Sequence, residues 1–170
     1  MRDVVVASGN RGKLGQLAEM LEPLGWHVRS QGDFGVDSPE ETGLTFVENA
    51  LIKARHAARE TGRAALADDS GIVVEALAGR PGIYSSRFAG EAATDQDNVT
   101  KLLAEMAEVP DEERGAFFYC ALVLMDHAAD PCPVIAEGRW HGRIAHQPSG
   151  GGGFGYDPVF LVPGDGRTAA

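Results

Sequence analysis

Cysteine and long apolar stretches are both scarce in this sequence. The chain of 170 residues contains two cysteines, Cys120 and Cys132, with no CxxC pair and no dense cysteine framework. This pattern indicates neither a zinc site nor a disulfide scaffold. No apolar run approaches the length of a membrane span, and the start at Met1-Arg2-Asp3 is too acidic, and its valine run too short, for a signal peptide. We therefore expect a cytoplasmic protein without a membrane partner.

Basic residues are too few for a protein that binds DNA or RNA through its phosphate backbone. The chain has 15 Lys and Arg against 25 Asp and Glu, a formal net charge of −10. A protein that binds the DNA or RNA backbone independently of sequence needs a broad basic surface. We expect no nucleic-acid polymer as partner, and any phosphate contact must be local and metal-assisted. A GxSxG motif is also absent and Cys120 lies in an apolar segment, so activated water is favoured over a serine or cysteine nucleophile.

Alternating apolar runs and helical patterns predict an α/β fold. A length of 170 residues with 44% apolar content suits one domain over residues 1–170. Helices are predicted to begin at Leu14, Thr45 and Thr94. Buried strands are predicted at residues 4–7, 26–29, 64–67, 117–125, 134–140 and 159–162. The short connection 126–133 predicts a hairpin, and hence a central mixed sheet flanked by helices, with a ligand cleft at the strand ends.

The loop after the first predicted strand has the features of a phosphate site. It reads Ser8-Gly9-Asn10-Arg11-Gly12-Lys13 and leads into a helix. Glycines let backbone N–H groups approach an anion, a helix N-terminus adds partial positive charge, and Lys13 adds a full charge. It is not a Walker A loop, because Ala7 and Leu14 replace the required glycine and Ser or Thr. The alternative is an ordinary strand-to-helix turn with a surface lysine.

Acidic residues form the second candidate site. Asp68-Asp69-Ser70-Gly71 follows the apolar run 64–67, which predicts two carboxylates at the carboxyl end of a strand. Ligands bind beyond such ends in open α/β sheets, and Mg²⁺ is typically held by one or two carboxylates plus substrate phosphates. Glu41, with Glu40 beside it, could complete this site from the acidic loop 32–44. The alternative is a turn with Asx-type hydrogen bonds.

Lys53 is the second candidate cation. It lies on the second predicted helix, on the face that also holds Phe46, Asn49 and Ala50. A lysine so near an apolar face suggests a role at the site, whereas a side chain that snorkels over the helix surface is the ordinary alternative. The five histidines lack the i, i+4 spacing of a metal-binding helix.

Five short motifs are distributed along most of the chain. They are Ser8-Gly9-Asn10-xx-Lys13, Glu41-Thr42-Gly43-xx-Phe46-xx-Asn49-Ala50-xx-Lys53-Ala54, Asp68-Asp69-Ser70-Gly71, Pro81-Gly82-Ile83-Tyr84-Ser85 and Gly152-Gly153-Phe154-Gly155-Tyr156-Asp157-Pro158. In this order they resemble the inosine/xanthosine triphosphate pyrophosphatase family, and most closely its bacterial dITP/XTP pyrophosphatases. The resemblance covers the chain from Met1 to about Thr168.

The resemblance implies a hydrolase that cleanses the nucleotide pool. Members of that family use Mg²⁺ to convert deaminated purine triphosphates, such as dITP, ITP and XTP, to the monophosphate and pyrophosphate, and commonly form homodimers. Attack by water at the α-phosphorus is the corresponding hypothesis for this chain. Two other functions stay open: a pyrophosphatase for modified pyrimidine triphosphates, and a nucleotide-binding module without turnover.

The resemblance also assigns roles to individual residues. Asp69 would be general base and metal ligand with support from Asp68, and Glu41, with Glu40 as a further candidate, would complete the metal site. Phe154 would stack on the purine. The substrate-binding residues implied are Ser8, Gly9, Asn10, Arg11, Gly12, Lys13, Lys53, Ser70, Phe154, Gly155, Tyr156 and Asp157.

One departure from the family pattern concerns the end of the chain. Family members continue with a Ser-His-Arg motif and a nearby lysine that help to recognise base and phosphates, whereas this sequence ends at Ala170. We therefore expect a domain without its C-terminal tail. The sequence leaves open the preference between inosine and xanthosine nucleotides, between ribose and deoxyribose, and the oligomeric state.

Overall fold

A computed structural model describes residues 2–9 and 11–170 of the chain. Within these residues, six strands and three α-helices are joined by loops and short 3₁₀ turns. In chain order they are β1 (Arg2–Val6), α1 (Arg11–Leu21), β2 (Trp26–Ser30), α2 (Phe46–Thr61), β3 (Ala65–Val74), α3 (Asp95–Glu105), β4 (Gly115–Met125), β5 (Val134–Ile144) and β6 (Phe160–Leu161). None of the helices in this described part combines the length and apolar content that a membrane span needs.

The strands form one mixed sheet in the order β2-β1-β3-β4-β5-β6. β1 pairs in parallel with both β2 and β3, while β6 pairs antiparallel with β5. Val4, Val5 and Val6 of β1 are all buried, as expected for a parallel strand whose two faces are both covered. The predicted α/β fold with a mixed sheet is therefore confirmed.

The strand that carries Asp68 and Asp69 does not end at them, so that prediction is wrong. β3 continues through Ser70 and Gly71 to Val74 as one strand of 10 residues. Ser-Gly favours a turn locally, but the apolar residues on both sides of it are buried. Packing within the sheet outweighs the local preference, and the two carboxylates lie inside a strand.

The strand that does end beside these carboxylates is β1. It stops at Val6, which is paired with Leu66 of β3. Asp68 and Asp69 lie just further along β3, beyond the carboxyl end of this parallel neighbour. That is the region where open α/β sheets bind ligands, although the strand that creates it is not the one predicted.

The boundaries of α1 and of the last strand are among the others that differ from the prediction. α1 begins at Arg11 rather than Leu14, so Lys13 belongs to its first turn. The last strand is shortened to Phe160–Leu161, because Pro158 lies in a 3₁₀ turn directly before it.

One compact unit comprises the residues up to Asp69 together with Cys120–Glu137. Its core includes the buried valines of β1, which pack against leucines of α1. Ala50, Ala54 and Ala57 of α2 recur at helical spacing and are fully buried. Because these side chains are small, the buried face of α2 can pack closely.

The other compact unit comprises Ser70–Tyr119 and Gly138–Ala170. Arg114 lies in its interior with only 2% of its surface exposed. Its guanidinium donates hydrogen bonds to four carbonyl oxygens, which belong to Met106 (2.7 Å), Val109 (3.1 Å), Ile144 (2.8 Å) and Ala145 (2.9 Å). This one side chain therefore ties the segment after α3 to the end of β5.

The substitution Arg114→Met should lower the free energy of unfolding by at least about 3 kcal/mol. It removes four charge-assisted hydrogen bonds from the interior, and each buried carbonyl group that is left without a donor costs about 1–3 kcal/mol. Urea denaturation provides the measurement. Arg80→Met is the matched control, because Arg80 is exposed and pairs with Glu105 at 2.8 Å on the surface, which is worth less than about 1 kcal/mol. Equal losses in the two variants would contradict the assignment.

Candidate active site

Lys53 is held between two carboxylates. Its Nζ lies 2.8 Å from Asp69 Oδ1 and 2.9 Å from Glu41 Oε1, and its side chain is only 12% exposed. Burial disfavours the charged ammonium, but the bonds and the attraction from Asp69 and then Glu41 are stronger, so the pKa of Lys53 is raised. Lys53 is therefore a buried cation at neutral pH and does not snorkel into solvent.

Asp69 is less well compensated than Lys53. Burial raises the pKa of Asp69 above its usual value, and the charge of Glu41 adds to the rise, although Lys53 and the Asn49 side chain act in the opposite direction. The difference follows from burial, which has the largest effect on the pKa of Asp69 and is only partly offset by Lys53. Asp69 Oδ2 is also buried without a hydrogen-bond partner among the described residues.

Lys13 and Asp68 form a second ion pair in the same compact unit. Lys13 Nζ donates to Asp68 Oδ2, and the Asp68 side chain is almost fully buried. Successive residues of a strand point to opposite faces, so Asp68 reaches Lys13 of α1 while Asp69 reaches Lys53 of α2. The structure thus brings both predicted lysines to the two predicted carboxylates, one to each.

The rest of the predicted phosphate loop is only partly described. Ser8 is half-buried, and Gly9 and Gly12 are exposed. Asn10 lies outside the described residues, and of Arg11 only the backbone is described, as the first residue of α1. The roles assigned to this loop therefore stay predictions.

Of the two predicted acidic-loop ligands, Glu41 reaches the site. Its carboxylate contacts Lys53, whereas the neighbouring Glu40 is exposed. Sequence alone could not distinguish adjacent glutamates, because only the path of the loop decides which one faces α2.

The residues present fit a divalent cation. Within residues 2–9 and 11–170, no three His, Cys, Asp or Glu side chains gather into a metal-binding group. Mg²⁺ does not need one, because it is typically bound through one or two carboxylates plus substrate phosphates. Glu41 and Asp69 offer two carboxylates that meet at Lys53 Nζ, and Asp69 Oδ2 is a buried acceptor without a hydrogen-bond donor in the described part of the chain.

Cys120 is a neighbour of the site that sequence reasoning did not place there. It lies half-buried on β4, and burial together with the charge of Asp68 raises the pKa of its thiol. A protonated thiol is a poor nucleophile, so the expectation that Cys120 is not the attacking group agrees with its surroundings.

The predicted base-side loop belongs to the other compact unit. Phe154 is 61% exposed, and its backbone N–H donates to Asp157 Oδ2 at 2.9 Å. The next N–H, of Gly155, donates to Asp95 Oδ2 at 2.7 Å. Tyr156 is buried and donates its hydroxyl to Ser85 O at 2.7 Å, so its ring supports the loop. Asp95 was not predicted, because it lies 60 residues away in sequence.

The comparisons with known proteins identify the family. A model of the Ham1 family matches residues 4–170. The chain belongs to the Ham1 family. It is 58% identical over 170 residues to the dITP/XTP pyrophosphatase of Yersinia pestis and 56% identical to that of Escherichia coli (strain K12), in each case over all of this chain and 86% of the relative. The resemblance predicted from the five motifs is therefore confirmed.

Solved structures of Ham1 proteins share the fold. The HAM1 protein from Coxiella burnetii matches with a TM-score of 0.95 at 49% identity, over 100% of this chain and 86% of that one. The Ham1 protein of Staphylococcus aureus matches with a TM-score of 0.89 at 37% identity, over 99% and 85%.

The substitution Asp69→Asn should stabilise this Ham1 protein at pH 7 by about 0.5–2 kcal/mol, the range of single stabilising changes. Because the pKa of Asp69 is raised on folding, the folded state holds its proton more tightly than the unfolded chain. Ionisation of Asp69 therefore costs stability as pH rises from the usual carboxyl range through the folded-state pKa. Asparagine mimics the protonated form, so the gain should vanish in acid. Chemical denaturation between pH 3 and 7, on the order of the carboxyl range, measures this.

A control of opposite sign is available at Asp97. This exposed carboxylate accepts hydrogen bonds from Thr94 N and Thr94 Oγ1, the former at 2.8 Å, and these lower its pKa. Asp97→Asn should therefore reduce stability at pH 7. If both neutralising substitutions changed stability in the same direction, the burial argument for Asp69 would fail.

Proposed function

We propose that this Ham1 protein is a nucleoside triphosphate pyrophosphatase that hydrolyses deaminated purine triphosphates, such as dITP and XTP, to the monophosphate and pyrophosphate. Relatives that are 58% and 56% identical carry the name dITP/XTP pyrophosphatase. The observation that carries the proposal is that Lys13 and Lys53 are held on the adjacent carboxylates Asp68 and Asp69. Cations for a triphosphate and carboxylates for a metal and a water molecule thus meet at one strand segment.

A divalent metal belongs to this chemistry, and we propose Mg²⁺ held by Glu41 and Asp69. The support is that both carboxylates converge on one point, Lys53 Nζ, and that Asp69 Oδ2 has no donor in the described part of the chain. Glu40, exposed beside Glu41, is the weaker candidate. When bound, the ion would neutralise phosphate charge and lower the pKa of bound water.

Asp69 is the proposed general base. Its raised pKa moves the carboxylate towards the pH at which it can take a proton from water. Lys53 holds Oδ1 and so helps to orient the carboxylate. The water oxygen bonds to the α-phosphorus, its proton passes to Asp69, and the bond from the α-phosphorus to the bridging oxygen breaks.

The leaving pyrophosphate carries the developing charge. Lys13, Lys53 and the backbone amides of residues 8–12 are the proposed groups that stabilise it, since preorganised cations and amides do most of the work in phosphoryl transfer. Asp68 supports this arrangement by holding Lys13.

Phe154 is the proposed stacking platform for the purine, with Ser70 as a further substrate contact. The Phe154 ring is exposed, and the backbone N–H groups of Phe154 and Gly155 are each bonded to a carboxylate, which fixes the backbone that carries the ring. Donors that face the 6-oxo group of the base would leave the 6-amino group of adenine unpaired, which rejects it by up to about 10⁴-fold in sites built for such a contact.

We further propose a homodimer that acts in the cytoplasm, where the nucleotide pool is. β5 supports an interface between two copies. Its residues from Val134 to Trp140 are exposed, and its pairing with β6 is formed by Arg143 and Ile144 at its far end. Long exposed strands are favourable surfaces for pairing with another chain.

A substrate panel with Mg²⁺ tests the function. We expect dITP and XTP to yield pyrophosphate as the primary product, with turnover well above that of dTTP, dUTP and dATP. Separate detection of pyrophosphate and orthophosphate distinguishes attack at the α-phosphorus from attack at the γ-phosphorus. Orthophosphate alone, preference for a pyrimidine triphosphate, or binding of dITP without any turnover would each overturn the proposal.

Asp69→Asn should lower kcat for dITP by at least about 10²-fold, because an amide cannot accept the proton from water. Steady-state kinetics with saturating Mg²⁺ measures the loss. Asp165→Asn is the control, since Asp165 is an exposed carboxylate bonded to Arg167 at 2.7 Å and should retain normal kcat. Near-normal turnover in the Asp69 variant would refute its assigned role.

A further inference from the structure

Asn49 is a buried polar residue that the proposed mechanism does not use. It lies on α2, one helical turn before Lys53 and on the same face, with 0% of its surface exposed. Its Oδ1 accepts a hydrogen bond from Gly43 N at 2.8 Å. This bond connects the helix to the loop that carries Glu41.

Gly43 packs directly against the start of α2. A Cβ at this position would lie 2.6 Å from Asn49 Oδ1 and 2.6 Å from the Cβ of Glu48. Only glycine therefore lets the loop backbone approach closely enough for the bond to Asn49. Since Glu41 is two residues earlier in the same loop, this contact sets where its carboxylate lies, 2.9 Å from Lys53.

The other end of the Asn49 amide lies near the candidate base. Asn49 Nδ2 is buried without a hydrogen-bond partner among the described residues, and so is Asp69 Oδ2. The Asn49 side chain is near enough to lower the pKa of Asp69. A buried donor and a buried acceptor without other partners are costly unless they serve each other or a shared ligand.

Asn98 shows how a purely structural buried asparagine looks in this protein. It is 2% exposed, its Oδ1 accepts from Ala89 N at 2.8 Å, and its Nδ2 donates to Ser86 O at 3.0 Å. Both ends of Asn98 are satisfied by backbone groups. Asn49 has a backbone partner at Oδ1, whereas its Nδ2 has no hydrogen-bond partner among the described residues and lies in the side chain that influences Asp69.

We infer that Asn49 is a positioning residue for both proposed metal-binding carboxylates: Oδ1 fixes Glu41 through Gly43, and Nδ2 orients Asp69. This inference rests on the proposed function for its chemical meaning. Partners of this kind, which orient ligands without touching the metal, typically contribute 10–100-fold to metal affinity or activity, on the order of the effects expected here.

Two substitutions separate the two contacts. Asn49→Asp keeps the acceptor for Gly43 N but replaces the donor near Asp69 by an oxygen. Gly43→Ala keeps the amide but forces the loop away from it. We expect each variant to lower kcat for dITP by about 10–100-fold, with KM within about threefold of the wild type. Each should also weaken Mg²⁺ binding by at least about tenfold, measured by titration calorimetry with the hydrolysis-resistant α,β-methylene analogue of dITP.

Asn98→Ala is the matched control. It removes two hydrogen bonds from an equally buried site, so it should lower the melting temperature at least as much as Asn49→Asp while keeping kcat and Mg²⁺ affinity within about threefold. An equal loss of kcat in both variants would show a merely structural role. An Asn49→Asp variant with wild-type kcat and Mg²⁺ affinity would overturn the inference as well.

The failure of this inference can be told apart from that of the proposed function. If the wild type releases no pyrophosphate from dITP, the proposed function fails, and the Mg²⁺ titrations of the variants still judge Asn49. If the wild type is active, and Asn49→Asp and Gly43→Ala both keep its kcat and its Mg²⁺ affinity, only the inferred role of Asn49 fails.

Discussion

The candidate site depends on one buried ammonium shared by two carboxylates. Lys53 joins three parts of the chain that are far apart in sequence: the acidic loop through Glu41, the second helix through its own backbone, and the third strand through Asp69. A buried carboxylate is unstable without compensation, and Lys53 offsets the burial of Asp69 only in part, so the pKa of Asp69 is raised. In the proposed function, this raised pKa suits Asp69 to act as a base, at a cost in stability.

Strand geometry distributes the catalytic groups. The first strand ends at Val6 while the third continues, so Asp68 and Asp69 lie beyond the end of a parallel neighbour and yet inside a rigid strand. Alternation along that strand sends Asp68 to the first helix and Asp69 to the second. Each carboxylate thus meets a different lysine, Lys13 or Lys53. In the proposed function, this arrangement divides phosphate binding from water activation.

In each compact unit, a polar side chain accepts a hydrogen bond from a loop backbone N–H group. In one, Asn49 binds Gly43 N, and in the other, Asp95 binds Gly155 N beside the exposed Phe154 ring. Such contacts fix a loop without contributing to the chemistry. Residues that take no part in the proposed reaction can therefore still influence where the proposed site residues lie.

The sequence by itself determined the family and the α/β fold, because motif spacing and hydrophobic periodicity are local properties. For the same reason it indicated two lysines and two adjacent aspartates as candidate site residues. It could not determine that β3 passes unbroken through Ser70 and Gly71, since local turn preference and burial in a sheet act in opposite directions there. Nor could it choose Glu41 over Glu40, or pair Asp68 with Lys13, because these depend on how a loop and two helices pack against the strand. Only the tertiary structure decides contacts between residues distant in sequence, since their energy exists only once the chain has folded.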